Sequence, residues 1–199
     1  MSNALIITSN PEHNSMTNAV GAAFAEGAAA EGAHTEVLDL YEAGFNPIYT
    51  SADRAHYLGQ GPLPVDVAAM QSKLAGADVI ALVFPIYWYT MPAMVKGLFD
   101  RVICRGFAYT PDGTPGALAG KTVRVIMLTG GSEDWYRTGG IGEALDNQIC
   151  RQTFVKYCGV DDVEIVYVDN LKMGDDDPSR REAANRQLER IRVLGASLA

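Results

Sequence analysis

Short apolar runs alternate with stretches of helical periodicity along the whole 199-residue chain, and no other feature restricts its fold so strongly. The runs are Ala4–Thr8, Thr35–Leu40, Val79–Phe84, Lys121–Leu128 and Val163–Val168. Runs of this length bounded by turn residues read as strands. Helical patterns cover Ser15–Glu31, Val65–Ala75, Pro92–Val102, Gly142–Tyr157 and Pro178–Leu198. Ser15 can cap the first of these, and Gly32 and Gly76 follow or end helices. Strands interleaved with helices predict an α/β three-layer sandwich, a parallel sheet with helices on both faces. Right-handed crossovers leave few topologies. The expected strand order is 2-1-3-4-5, with a switch point between the first and third strands. The second run alternates apolar and polar residues, as suits a less buried position. Residues 1–199 read as a single domain.

Composition narrows the function classes. Hydrophobic residues make up 48% and charged residues 20%, the balance of a soluble globular protein. A net charge of −8 argues against nucleic acid as a partner and against an anionic membrane surface. No apolar run approaches the ~20 residues of a membrane span. Cys104, Cys150 and Cys158 form no CxxC pair and suggest a reducing, cytoplasmic setting with thiols used as small apolar groups. His13, His34 and His56 share no metal-ligand spacing, so no metal site is expected. The acidic run Asp175–Asp177 reads as a solvated surface. No GxSxG nucleophile elbow is present. The first turn lacks GxGxxG, and Gly140-Ile141-Gly142 does not follow a strand, so a tightly held NAD in a dinucleotide fold is not expected.

The loops that leave the first, third and fourth strands are the unusual ones, and the expected topology converges them on one crevice. The first is Ser9–Thr17. It ends a strand and opens a helix, whose free N–H groups and positive dipole end suit a phosphate. Asn10, Ser15 and Thr17 offer side-chain hydrogen bonds and His13 a positive charge, although the same loop would serve as a plain helix cap. The second is Pro85-Ile86-Tyr87-Trp88-Tyr89, before a helix with Pro92 in its first turn. Its aromatic bulk suits a flat, partly apolar ligand, and on spacing alone serves equally to pack the next helix. The third is Thr129-Gly130-Gly131-Ser132, where two glycines let backbone approach a planar ring. Tyr136 follows, a phenol able to donate a proton or stabilise an anion. Tyr41–Pro64 has no clear period and reads as a long functional loop, a lid or a subunit contact.

Five segments together resemble the NAD(P)H:quinone oxidoreductases. They are Ala4-Leu-Ile-Ile, Phe45-Asn-Pro-Ile48, the block Phe84–Val102, Phe107-Ala-Tyr109 and Thr129-Gly-Gly-Ser132. These are flavodoxin-like flavoenzymes related to modulators of drug activity and to potassium-efflux regulatory oxidoreductases. The resemblance implies a homodimer with FAD, or alternatively FMN, at the subunit interface. It places flavin phosphate on Asn10, Ser15, Met16 and Thr17. It places the ring along Pro85, Ile86, Tyr87, Trp88, Tyr89, Thr129, Gly130 and Gly131, with Tyr136 at the reactive face as the catalytic candidate. The implied activity is two-electron transfer from NADPH or NADH through the flavin to a quinone-like acceptor. A flavin-bearing regulatory subunit of a membrane transporter and a one-electron carrier are the alternatives, without direct membrane insertion in any case. One departure stands out. Members that pair this tyrosine with a histidine would carry the histidine at residue 142, which is glycine here.

Overall fold

A computed structural model describes residues 1–169 and 178–199, apart from the side chains of Pro178 and Arg180. The acidic run at 175–177 lies outside the described residues. Five parallel strands form one sheet: β1 (Asn3–Thr8), β2 (His34–Asp39), β3 (Val79–Pro85), β4 (Thr122–Leu128) and β5 (Asp162–Val168). Their order is β2-β1-β3-β4-β5, the expected flavodoxin-like one. Ala4 pairs with Val79, which pairs on its other side with Thr122. The central strands β1, β3 and β4 are buried along almost their whole length, and the edge strand β2 is half exposed. Continuous apolar runs suit strands covered on both faces, and alternation suits an edge.

Side-chain alternation along each strand builds two cores. Ala4, Ile6, Ala81, Val83 and Ile126 face α1 (Met16–Ala30) and α7 (Pro178–Ser197). These two helices approach so closely that a Cβ at Gly27 would stand 1.9 Å from the Arg192 carbonyl oxygen. Leu5, Ile7, Ile80, Leu82, Val123 and Val125 face the other layer. That layer contains α3 (Val65–Gly76), α4 (Ala93–Arg101) and α6 (Ile141–Leu145), which runs into π-helical turns over Asp146–Tyr157.

Three segments depart from the sequence reading. Tyr41–Pro64 is not devoid of regular structure, because it contains α2 (Ser51–Tyr57). The Thr50 hydroxyl accepts from the Asp53 N–H and the Asp53 carboxylate accepts from the Thr50 N–H, so the helix is set by a capping box. A second short helix, α5 (Glu133–Thr138), follows the Thr129–Ser132 loop, with the Ser132 hydroxyl accepting from Trp135 N–H. The helix expected from Gly142 begins at Ile141 and loosens to a π register, in which the Cys158 N–H reaches the Thr153 carbonyl at 3.1 Å. A hydrophobic pattern does not report that register.

Cys150 and Cys158 are buried, and burial pushes both thiols up to about 12. At neutral pH they are unreactive apolar groups, as expected. Half-buried Cys104 accepts a hydrogen bond from the Gln71 side chain, and burial raises its thiol as well.

The segment before α2 is fastened by Arg101 of α4. Its guanidinium donates to the Asp53 and Asp66 carboxylates and to the Asn46 carbonyl, and it lies 5.7 Å from the centre of the Phe45 ring. Among the described residues no helix is long and apolar enough to cross a membrane.

Candidate functional site

The three loops named above lie along the carboxyl edge of the sheet. After β1, Ser15 caps α1, its hydroxyl accepting from the Asn18 N–H at 3.2 Å. Met16 and Thr17 open the helix, so their N–H groups precede any intrahelical acceptor. The Asn10 amide donates to the Thr17 hydroxyl at 3.0 Å and accepts from the Glu12 N–H at 2.9 Å, which shapes the loop. Beneath it the buried hydroxyls of Thr8 and Ser9 have no protein partner. The Glu42 carboxylate lies 2.5 Å from the Nδ1 of His13. His13, Asp39 and Glu42 bring ligand-type atoms within 4.8 Å of one another in this solvent-exposed corner. This grouping is invisible to spacing within the sequence.

The loop after β3 continues the sheet for one bond, Ile86 N–H to the Leu128 carbonyl at 2.9 Å. It then turns tightly. Tyr87 and Thr90 exchange both backbone hydrogen bonds, at 3.0 and 3.1 Å. The two residues between them, Trp88 and Tyr89, have φ of +47° and +63°. This is the backbone of a two-residue primed turn, where Asn-Gly is the favoured pair. Two bulky residues there are strained by about 1–2 kcal/mol each. Trp88 is 91% exposed, so burial of its ring does not offset that strain. Replacing Trp88-Tyr89 by Asn-Gly is expected to stabilise the ligand-free protein by about 1–2 kcal/mol net of the added glycine entropy. Urea unfolding checks it, and an equal or lower midpoint would contradict the strain assignment.

The loop after β4 is shaped by the Thr129 hydroxyl, which donates to the Gly131 carbonyl at 2.8 Å. A Cβ at Gly130 would meet nothing within 4 Å, and one at Gly131 the Tyr136 ring at 3.7 Å and the Trp135 ring at 4.0 Å. The bare backbone therefore borders open space. Helix α5 is held at its start by Asp169, whose carboxylate accepts from the Glu133 N–H at 2.8 Å. It presents Trp135 and Tyr136 across from the glycines. Tyr89, Gly130, Gly131, Ser132, Trp135 and Tyr136 line one cleft of about 520 Å³. Trp135 bridges the two aromatic loops, 5.9 Å from Tyr89 and 5.0 Å from Tyr136 between ring centres. Burial, then the nearby Tyr89, raises the Tyr136 phenol above its ordinary value.

The structure thus brings Tyr89, Gly130, Gly131 and Tyr136 into one cleft. Pro85, Ile86 and Thr129 lie at the adjoining strand ends, with Pro85 paired to Leu128, and do not line the cleft. Tyr87 and Trp88 project outward beside it. Asn10, Ser15, Met16 and Thr17 sit on the next loop along, tied in by the Ser9 N–H to Val83 carbonyl bond at 3.0 Å. They do not line the cleft itself. Tyr136 is buried, on helix α5. Sequence reasoning missed Trp135, although an aromatic residue beside Tyr136 just after Gly-Gly was a usable signal.

A family model described as flavodoxin-like fold matches residues 2–191. An uncharacterized NAD(P)H oxidoreductase of Haemophilus influenzae is 32% identical over 177 residues, covering 87% of each chain. The rat NAD(P)H dehydrogenase [quinone] 1 is 31% identical over 156 residues, 69% of this chain and 57% of that protein. The structure of an NAD(P)H:quinone oxidoreductase from Methanothermobacter marburgensis superposes with a TM-score of 0.87 at 28% identity, covering 99% of this chain and 96% of that one.

Proposed function

Because this chain belongs to the NAD(P)H:quinone oxidoreductase family of flavodoxin-like proteins, we propose that it is an enzyme that uses a bound flavin to pass two electrons from NADH or NADPH to a quinone-like acceptor. The observation that carries this reading is the cleft in which bare Gly130–Gly131 backbone faces Tyr89, Trp135 and Tyr136. It lies outside the carboxyl ends of the strands, where ligands of open α/β sheets bind.

The residues present fit a flavin. The space at Gly130 would be filled by a Cβ, so a planar ring can approach main chain there. The open first turn of α1 at Met16 and Thr17, with Asn10 and Ser15 shaping it, suits a phosphate. The unpartnered Ser9 hydroxyl below offers one further polar contact. Tyr87, Trp88 and Tyr89 supply aromatic surface at one edge of the ring, and Thr129, Gly130 and Gly131 supply backbone. We assign FMN in preference to FAD. The long 41–64 segment is committed to α2 and to Arg101, and none of its residues lines the cleft, so it offers no adenine contacts there.

When bound, a flavin supplies the redox chemistry, accepting and donating a hydride at the ring. The protein's residues bind, orient and exclude water. Tyr136 keeps its proton at neutral pH, because burial favours the neutral phenol. It can donate a hydrogen bond to an acceptor oxygen from the cleft wall. Apolar side chains exposed along the segment before α3, Ile48, Tyr49 and Leu58 among them, suit a homodimer contact.

The test is anaerobic rapid mixing of the yellow protein with NADH and, separately, NADPH. Loss of the oxidised absorbance with at least one donor, restored by a quinone, is expected. An unchanged spectrum with both donors contradicts the reading.

A further inference from the structure

Glycine at residue 142 leaves open what supports Tyr136, and the structure answers from a different strand. A Cβ at Gly142 would stand 2.7 Å from the Tyr136 carbonyl oxygen and 3.0 Å from the Tyr167 hydroxyl. Backbone on one side and a phenol on the other exclude any side chain at that position. The space beside Tyr136 belongs to Tyr167 of β5.

Tyr167 is 2% exposed and anchored along its length. It pairs with Met127 in the sheet, and its carbonyl accepts from the Arg190 guanidinium of α7. Its ring stacks on Tyr136, 5.5 Å between centres with 29° between planes. The Arg137 guanidinium, itself paired with Glu133, lies 5.3 Å from the Tyr167 ring centre. Tyr167 also borders a polar cavity of about 380 Å³ that includes Arg137, Glu143, Asp146, Arg151 and Glu164, residues absent from the cleft lining. Tyr136 is thus backed by Tyr167 and met edge-on by Trp135, at 85°. A ring so clamped has one position available in the cleft wall.

We propose that Tyr167 is the positioning residue that holds the Tyr136 ring in the cleft wall, giving by stacking the support that residue 142 cannot give here. The Tyr167 ring is the operative part, and its hydroxyl fills the space beside Gly142. Only the kinetic arm of the test rests on the flavin-enzyme reading above.

Near-ultraviolet circular dichroism reads the Trp135–Tyr136–Tyr167 stack without any cofactor. At the long-wavelength tryptophan bands, where neither tyrosine nor phenylalanine absorbs, Tyr167→Phe is expected to retain the parent signal and Tyr167→Leu to lose intensity while the far-ultraviolet spectrum is unchanged. With menadione as acceptor, Tyr167→Leu is expected to raise KM about tenfold with flavin content intact, and Tyr167→Phe to stay within about twofold of the parent. In a Tyr136→Leu background the Tyr167→Leu substitution should add nothing further, since the two residues act as a unit. Should Tyr167→Leu not fold, Tyr167→Met takes its place in every arm.

Three results would overturn the proposal. One is a near-ultraviolet spectrum and KM unmoved by loss of the ring. Another is Tyr167→Phe as damaging as Tyr167→Leu. The third is an additive effect of Tyr167→Leu in the Tyr136→Leu background. If the parent protein takes up no flavin, the enzyme reading fails while the dichroism arm still decides the positioning role.

Discussion

Replacing Arg101 by alanine is expected to cost about 3–5 kcal/mol of unfolding free energy at pH 7, the range for removing one partner of a buried ion pair. The side chains of Arg101 and Asp53 are each 3% exposed, and Arg101 Nε stands 3.1 Å from the Asp53 carboxylate. Without the guanidinium, the Asp53 charge stays buried with only Thr50 to solvate it. Asp66 is 51% exposed and can rehydrate, so Asp66→Asn is expected to cost no more than about 1 kcal/mol.

The pH dependence separates this mechanism from simple loss of packing. Burial alone raises the Asp53 carboxyl, but hydrogen bonds from Thr50 and the Arg101 charge outweigh it and hold the group below the usual range. Asp66 is lowered too, first by its hydrogen bond from Arg101. A carboxyl depressed in the folded state contributes stability above its unfolded value of about 3.9, lost as pH falls through the folded value. In Arg101→Ala the sign at Asp53 reverses. Its carboxyl rises, and protonation relieves the penalty as pH falls. The stability gap between parent and variant should therefore narrow below about pH 5. Urea unfolding at several pH values measures this, and a gap constant from pH 7 to pH 4 would contradict the buried-charge account.

The second large effect concerns the glycines. Gly130→Val is expected to leave the ligand-free fold within about 0.5 kcal/mol of the parent, because the added side chain enters space with no neighbour within 4 Å. In the proposed flavin complex the same space is the approach to the main chain. An intruding side chain there should weaken FMN binding about tenfold to hundredfold, as overpacking by about 1–3 kcal/mol predicts. Comparison of thermal unfolding with FMN titration separates the two effects. Unimpaired affinity would remove Gly130 from the site.

The strands were legible because parallel strands buried on both faces are near-continuous apolar runs, as Val79–Phe84 and Val125–Leu128 are. The rim loops were legible because they follow those runs with residues that fit no regular element. Helices α2 and α5 were not legible by periodicity. Each is short and polar, and each is set by a cap, Thr50 with Asp53 in one and Ser132 in the other. Tyr167 read only as a strand residue. Its contact with Tyr136 depends on which face of β5 meets α5, a tertiary fact with no local signature. The approach of Glu42 to His13 likewise depends on the turn after β2.

The central claim is that main chain at Gly130–Gly131 and the aromatic wall opposite form a flavin slot. Equilibrium titration of flavin-stripped protein with FMN and with FAD, followed by mass analysis of the chromophore released from freshly purified protein, tests it most directly. One FMN per chain, with Trp135 fluorescence quenched as the slot fills, is the predicted result. Purified protein that is colourless and takes up neither nucleotide at saturating concentration would contradict it.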